Sequence, residues 1–248
     1  MSFVSKKDVD AWDAEYSHVA WGGLSEYSWI QKNLPDNAFL LDAGCGTGRY
    51  LKEFFLKYSC IGVDLSKNAL LRSIQNLTYV SEKKKRDGFS LPDHFISNIA
   101  SLPFKDACFD GILCLGVLQH LLFSDRFKAA AEFFRVLKKG GCVYFEAFGE
   151  ADMRCGGDLF LQEDAEKNLQ ENAGKKMSEN SKLLPEYLEE RTFLRQNGII
   201  YHYFKEDELK NLFEKNGFIT KEFRSLKKEK KYDGKTYIRH HYRAVFEK

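Results

Sequence analysis

The sequence predicts an α/β fold: a doubly wound, seven-stranded, mostly parallel sheet with an antiparallel last strand and a helical insertion after the fifth strand. Three observations carry this. Short apolar runs alternate with helical patterns five times between residues 38 and 148, and such alternation builds βαβ units around a parallel sheet. The first apolar run ends in Asp42 and passes into Gly44-Cys45-Gly46-Thr47-Gly48, three glycines at alternate positions. Near the end, Asp233-Gly234 separates two strand-like runs, the signal of a tight hairpin and hence of an antiparallel pair.

The 248 residues are 44% hydrophobic and 30% charged, with a net charge of +2. That fits one domain over residues 1–248 with enough chain to bury a core. A charge so close to balance gives no global attraction to nucleic acid or anionic membrane and leaves only local basic runs, 83–86 and 227–231, to act that way. No run reaches the ~20 apolar residues of a membrane span. Residues 1–8 lack the apolar segment of a signal peptide. The six cysteines, Cys45, Cys60, Cys108, Cys114, Cys142 and Cys155, form no CxxC pair with metal-ligand spacing. They read as reduced, mostly buried thiols of a cytoplasmic protein with no metal site.

Residues 1–35 are expected to form an N-terminal helical cap. Its aromatics (Trp12, Tyr16, Trp21, Tyr27, Trp29) flank a Gly22-Gly23 break. They either pack on the sheet or form a lid that contributes Tyr16 or Trp21 to a site. After the turn at Pro35-Asp36-Asn37, residues 38–42 are the first strand and a helix follows the glycines to about Tyr58. Residues 59–66 are the second strand, 94–98 the third, and 111–116 the fourth, apolar as a strand buried on both faces should be. A helix over 125–138 is expected to close at Lys138-Lys139-Gly140-Gly141, before a fifth strand at 142–148. Residues 150–200 are polar and weakly periodic and read as a helical insertion that carries the acceptor lid, with strand-like alternation returning at 197–204. A helix over 205–215 and strands at 218–224 and 236–246 complete the C-terminal part, 201–248.

An apolar strand that stops at a carboxylate and turns on glycines into a helix presents a ligand site outside its carboxyl end, and glycine lets the backbone approach that ligand without a Cβ in the way. Asp64 lies 22 positions beyond Asp42, at the tip of the neighbouring strand, where an acidic residue suits the two hydroxyls of a ribose. Its alternative role is to cap the next helix, which Ser66 would do equally well.

These residues resemble the class I S-adenosylmethionine (SAM)-dependent methyltransferases. Asp42 to Gly48 looks like the family's first motif, and Asp64 matches its second-strand acid. Asn98 to Phe104 with Phe109-Asp110, Leu118 to Leu121 and Leu137 to Gly141 match three later blocks in order. An NAD-binding domain would need G-x-G-x-x-G, which fails at Arg49 and Tyr50. The resemblance implies a Rossmann-like core over residues 36–148 with SAM as cofactor. Asp42, Gly44, Gly46 and Gly48 would hold its methionine part, bordered by Leu115. Asp64 and Leu65 would hold the ribose side, while Asn98 and the backbone N–H of Ile99 would flank the adenine. The family often has Asp where this chain has Asn98, whose amide oxygen accepts a hydrogen bond without charge assistance.

The acceptor side is less defined. His120, just past the fourth strand, reads either as a general base or as a histidine packing at a helix start. Glu146 either faces the site or pairs with a lysine. Period-two geometry puts Arg239 and His241 on one face and His240 on the other. An arginine in a pocket favours a carboxylate or phosphate, and the plain alternative is a solvated strand face. The leading function is transfer of a methyl group to a small molecule. A second is tRNA methylation, because Tyr201 to Leu209 is similar to a segment of the wobble-uridine tRNA methyltransferases. A third is a non-catalytic SAM-binding protein. Oligomeric state is open.

Overall fold

The computed structural model describes residues 5–18, 26–84, 90–155, 186–195, 197–232 and 234–248. Its main sheet has seven strands: β1 (Phe39–Ala43), β2 (Ser59–Asp64), β3 (Asp93–Ile96), β4 (Phe109–Leu115), β5 (Leu137–Phe148), β9 (Ile219–Tyr232) and β10 (Lys235–Glu247). They lie in the order β3-β2-β1-β4-β5-β10-β9. Neighbours from β3 through β5 pair in parallel, and β10 runs antiparallel to both β5 and β9. The fold is therefore the doubly wound sheet with one reversed strand that the sequence predicts. Winding changes direction at β1, between β2 and β4, and such a switch point opens a crevice at the carboxyl ends.

Each face of the sheet carries its own core. On one side α5 (Phe123–Val136) and α6 (Glu206–Glu214) bury Phe133, Val136, Leu209 and Phe213 against Phe145 and Phe246. On the other, α2 (Ser28–Gln31), α3 (Leu51–Phe54) and α4 (Lys67–Lys84) bury Trp29, Phe54, Leu70 and Leu77 against Leu40, Leu113 and Tyr144. β4 is buried along nearly its whole length, which is why its sequence is a continuous apolar run. α1 (Lys6–His18) lies on α4.

Several local expectations are corrected. The helix expected to reach Tyr58 is the single turn α3. Leu51, Phe54, Phe55 and Tyr58 are all buried, on the i, i+3, i+4, i+7 spacing of one helix face, but the chain leaves the helix at its C-cap Phe55 and runs through turns to β2. Residues 138–141 do not close a helix. α5 ends at Val136, Leu137 is already extended, and Gly140 (φ +78°) donates its N–H to the Lys248 carbonyl. Lys138 to Gly141 thus start β5 beside the chain's last residue. Residues 156–185 of the insertion, like Trp21, the Gly22-Gly23 break, Lys85 and Arg86 of a basic run and Asp233, lie outside the described residues. What is described of residues 186–202 is not helical. Three short strands, β6 (Glu186–Glu189), β7 (Thr192–Leu194) and β8 (Ile200–His202), form an antiparallel sheet. Its turn uses Arg191 at φ +54°, and ion pairs remote in sequence hold it in place. Arg126, 2% exposed on α5, reaches Glu189 at 3.1 Å, while Glu208 on α6 contacts Arg191 at 2.7 Å and His202 at 2.8 Å. Those partners hold Glu208 down to about 2 against the opposing effect of burial. Of the six thiols, all free, Cys45, Cys60 and Cys114 are buried and the other three half-buried.

Candidate cofactor and acceptor site

Two cavities open at the switch point, one of about 420 Å³ and one of about 550 Å³. Trp12, Tyr16, Gly44, Gly116 and His120 line both. The first cavity is bounded by the ends of β2 and β3 and is otherwise mostly apolar, with Leu65, Ile99, Val117, Leu121 and Ile199 around Asp64 and Asn98. The second lies beneath β5 and β10. Cys45, Gly46, Thr47 and Leu115 form one wall, Glu146 and Phe148 another, and Arg49, Arg154, Lys228, Arg239 and Arg243 supply five cations.

The glycine turn has the backbone expected of it. Gly44, Gly46 and Gly48 have φ of +83°, +53° and +77°. A Cβ on Gly46 would come within 2.7 Å of the Tyr16 hydroxyl, and one on Gly48 within 2.3 Å of Ser73 Oγ. The turn is pinned by Asp64, whose Oδ2 accepts the Gly46 N–H at 2.9 Å while Oδ1 accepts the Ser66 N–H at 2.9 Å. Ser66 itself caps α4, its Oγ accepting the Ala69 N–H at 3.0 Å. Asp64 therefore both shapes the turn and lines the cavity, and capping of the helix falls to the serine. Burial raises its carboxyl to about 6 against the opposing effect of these backbone donors.

Asp42 lies behind the turn, in the wall of neither cavity. It is 2% exposed, and its Oδ2 has no hydrogen-bond partner among the described residues. Burial first, and the Asp64 charge second, push it up to about 7. Gly48 likewise faces Ser73 and not a cavity. Asn98 lines the first cavity, but its Oδ1 already accepts the Ala100 N–H at 2.9 Å, so only the oxygen's second lone pair remains for a ligand.

His120 is one of the five residues that line both cavities. Its ring meets Trp12 and Tyr201 edge-on, each at 4.9 Å. Nδ1 lies 2.7 Å from the Ile200 carbonyl, which can only accept. Nδ1 therefore carries the proton, and the lone pair is on Nε2, 3.4 Å from the Gln119 amide nitrogen. Burial lowers the imidazole to about 4. The expected division of the last strand holds: Arg239 and His241 line the second cavity, while His240 is buried behind them, accepting the Ala151 N–H at Nδ1 and facing Ser225 with Nε2. The reading of that strand as a plain solvated face is thus corrected for Arg239 and His241. Glu146 lines the cavity and pairs with Arg243 at 3.0 Å, not with a lysine.

The lid reading offered Tyr16, and α1 does line both cavities with Trp12 and Tyr16; Lys228, of the basic run 227–231, lies on β9 at the second cavity. The sequence reading missed two contributors. Asp13 fastens α1 to the start of α4 by accepting from Ser66 Oγ and from the Asn68 N–H at 3.2 Å, and Arg154, beyond the end of β5, lines the second cavity. Asp13 had a legible signal, a carboxylate on an aromatic-rich helix, but its partner is 53 residues away.

Residues 41–145 match the family description "Methyltransferase domain". This stretch, under half of the chain, carries the sequence pattern of a methyltransferase domain. The chain is 30% identical over 137 residues to the tRNA (carboxymethyluridine(34)-5-O)-methyltransferase of Arabidopsis thaliana, covering 54% of this chain and 30% of the relative. It is 28% identical over 131 residues to the malonyl-[acyl-carrier protein] O-methyltransferase of Yersinia pestis, covering 52% and 44%. The chain thus spans less than half the length of either relative. A SAM-dependent methyltransferase structure from Methanosarcina mazei superposes with a TM-score of 0.64 over 91% of this chain and 99% of the other, at 23% identity, a likeness of fold.

The cofactor of this domain class, SAM, fits the residues present. The first cavity offers a carboxylate for hydroxyls and an apolar slot for a purine, and the buried Oδ2 of Asp42 has no donor among the described residues.

Proposed function

We propose that the protein transfers a methyl group from SAM, held across the first cavity and the glycine turn, to a small molecule that enters the second. The observation that carries this is the shared lining: the same five residues line both spaces, so a donor in one lies next to an acceptor in the other. In this reading Asp64 and Leu65 hold the ribose, and Asn98 and Ile99 hold the adenine. Gly44, Gly46 and Leu115 border the methionine part, with Asp42 and Gly48 fixing the turn from behind. When bound, SAM supplies an activated methyl on a sulfonium whose leaving group departs neutral. The chain's task is then position and exclusion of water. His120 Nε2 is the atom that would take a proton at the shared lining. With the ring's basicity lowered so far, it suits an acceptor that ionises readily. The six free thiols support a cytoplasmic setting. Among the described residues no helix is long and apolar enough to cross a membrane.

Calorimetric titration with SAM tests the donor half. The wild-type protein is expected to bind, and Asp64→Ala to bind about tenfold to a hundredfold more weakly, the scale of one charge-assisted hydrogen bond. Absence of binding to the wild type would refute the reading. Transfer of labelled methyl to a cell extract, sorted into small-molecule, protein and RNA fractions, tests the acceptor half, and any transfer excludes a non-catalytic SAM-binding protein. A tRNA acceptor is the second reading. The β9–β10 hairpin favours it: beyond the pairing of His241 with Phe148 it continues as a two-stranded ribbon that carries exposed Lys227, Lys228, Lys230 and Lys231 beside the second cavity.

A further inference from the structure

The second cavity is lined by five cations and one carboxylate, Glu146. Two of its guanidiniums are stationed by one buried carboxylate. Asp152, whose side chain is fully buried, accepts from Arg154 Nε at 2.7 Å on Oδ1 and from Arg239 Nε at 3.1 Å on Oδ2, where the His240 N–H also donates at 3.0 Å. These contacts hold Asp152 below the usual carboxylate range despite its burial. Arg239 reaches Asp152 through Nε alone, and Arg154 through Nε and, at 3.4 Å, Nη2. The two terminal nitrogens of Arg239 and the Nη1 of Arg154 make no hydrogen bond or ion pair to a described residue. The guanidinium carbon of Arg154 stands over the Phe148 ring, 4.1 Å from its centroid, a second contact that holds the group in place. Arg243 is different, since it is occupied by Glu146 and Glu26. Lys228 stands at the rim. Oriented guanidinium forks beside an aromatic floor, in a cleft whose walls concentrate field, are the chemistry that takes up a planar or tetrahedral oxyanion.

We infer that the second cavity is an anion-reading acceptor site, in which Arg154 and Arg239, positioned by Asp152, hold a carboxylate or phosphate of the methyl acceptor. This rests on the methyl-transfer reading for the word acceptor, but the anion preference can be measured without it. The same chemistry is offered by a free organic acid or by an acidic group carried on RNA.

The test compares a matched pair, phenylacetate and its uncharged amide phenylacetamide, titrated calorimetrically into the full-length protein with and without S-adenosylhomocysteine. The acid is expected to bind at least tenfold more tightly than the amide. Arg239→Gln and Arg154→Gln should each weaken the acid by roughly tenfold to a hundredfold and leave the amide unchanged, while Arg239→Lys recovers part of the loss. Asp152→Asn separates position from bulk charge. It makes the cavity more positive, yet the acid should bind less well because both forks lose their anchor; tighter binding of the acid would overturn the role given to Asp152. Equal binding of acid and amide, or binding of neither, would overturn the site. A second arm passes cell extract over an anion exchanger before methylation. Accepting material should be retained, in the small-molecule part if the source is a free acid and in the RNA part if it is a polymer. Acceptance confined to the neutral flow-through would overturn the inference. If SAM fails to bind the wild type but the acid–amide preference holds, it is the methyl-transfer reading that falls and not the anion site.

Discussion

The two cavities share five lining residues but are built in opposite ways. The donor half is backbone and carboxylate: strand ends, a turn of glycines at positive φ, and Asp42 and Asp64 held at raised pKa by burial. The acceptor half is long cationic side chains drawn from residues 49, 154, 228, 239 and 243 and aligned by ion pairs. The contrast separates two requirements. A site for a constant ligand can be set rigidly by the main chain, whereas a site for a variable one is set by side chains on a fixed sheet, where substitution retunes it without disturbing the fold.

The largest expected effect would sharpen that contrast by exposing the strain on the donor side. Asp42 has a folded-state pKa raised from 3.8 to about 7, so the folded protein binds its proton more tightly than the unfolded chain. Its favourable contribution is full below about pH 4 and is lost as pH rises through 7. In Asp42→Asn the ligand-free protein should gain stability over wild type across that window, on the order of 3 kcal/mol by pH 7, while SAM affinity falls. Thermal melts at a series of pH values read this, and parallel curves for the two proteins would contradict it.

Gly46→Ala comes next. A side chain at φ +53° costs about 1–2 kcal/mol, and its Cβ displaces Tyr16. SAM binding is expected to weaken about tenfold in calorimetry, and an unchanged SAM affinity would contradict the part given to this glycine in the turn. The smallest effect is expected from Asp13→Ala, which removes the contacts of α1 to Ser66 and Asn68 at the head of α4. A lost cap-like interaction is worth about 1 kcal/mol. The expected signature is faster SAM release in stopped flow with little change in melting temperature.

The sequence announces the donor half because its determinants are local. Apolar strand, acid, alternate glycines and a second acid 22 positions on can be read in a line, and period-two geometry sorts Arg239 and His241 from His240 in the same way. The acceptor half escapes such reading because it is assembled over distance. Arg154 and Arg239 meet only because both contact Asp152, 87 residues before Arg239, and nothing in either local pattern encodes that meeting. Residues 186–195 fail for a related reason, while β8 falls within the strand expected at 197–204. The polarity of 186–195 suggests an exposed helix, but Glu189 and Arg191 are polar because they are ion-pair partners of Arg126 and Glu208.

The position of α1 has a thermodynamic consequence. Because Trp12 and Tyr16 line both cavities, any shift of α1 that one ligand brings about would be felt by the other, and a coupling passed on in this way must be reciprocal: an acceptor mimic would change the affinity for the cofactor by the same factor by which the cofactor changes that for the mimic. A short helix held to α4 through Asp13 and Ser17 is thus a wall that both ligands share.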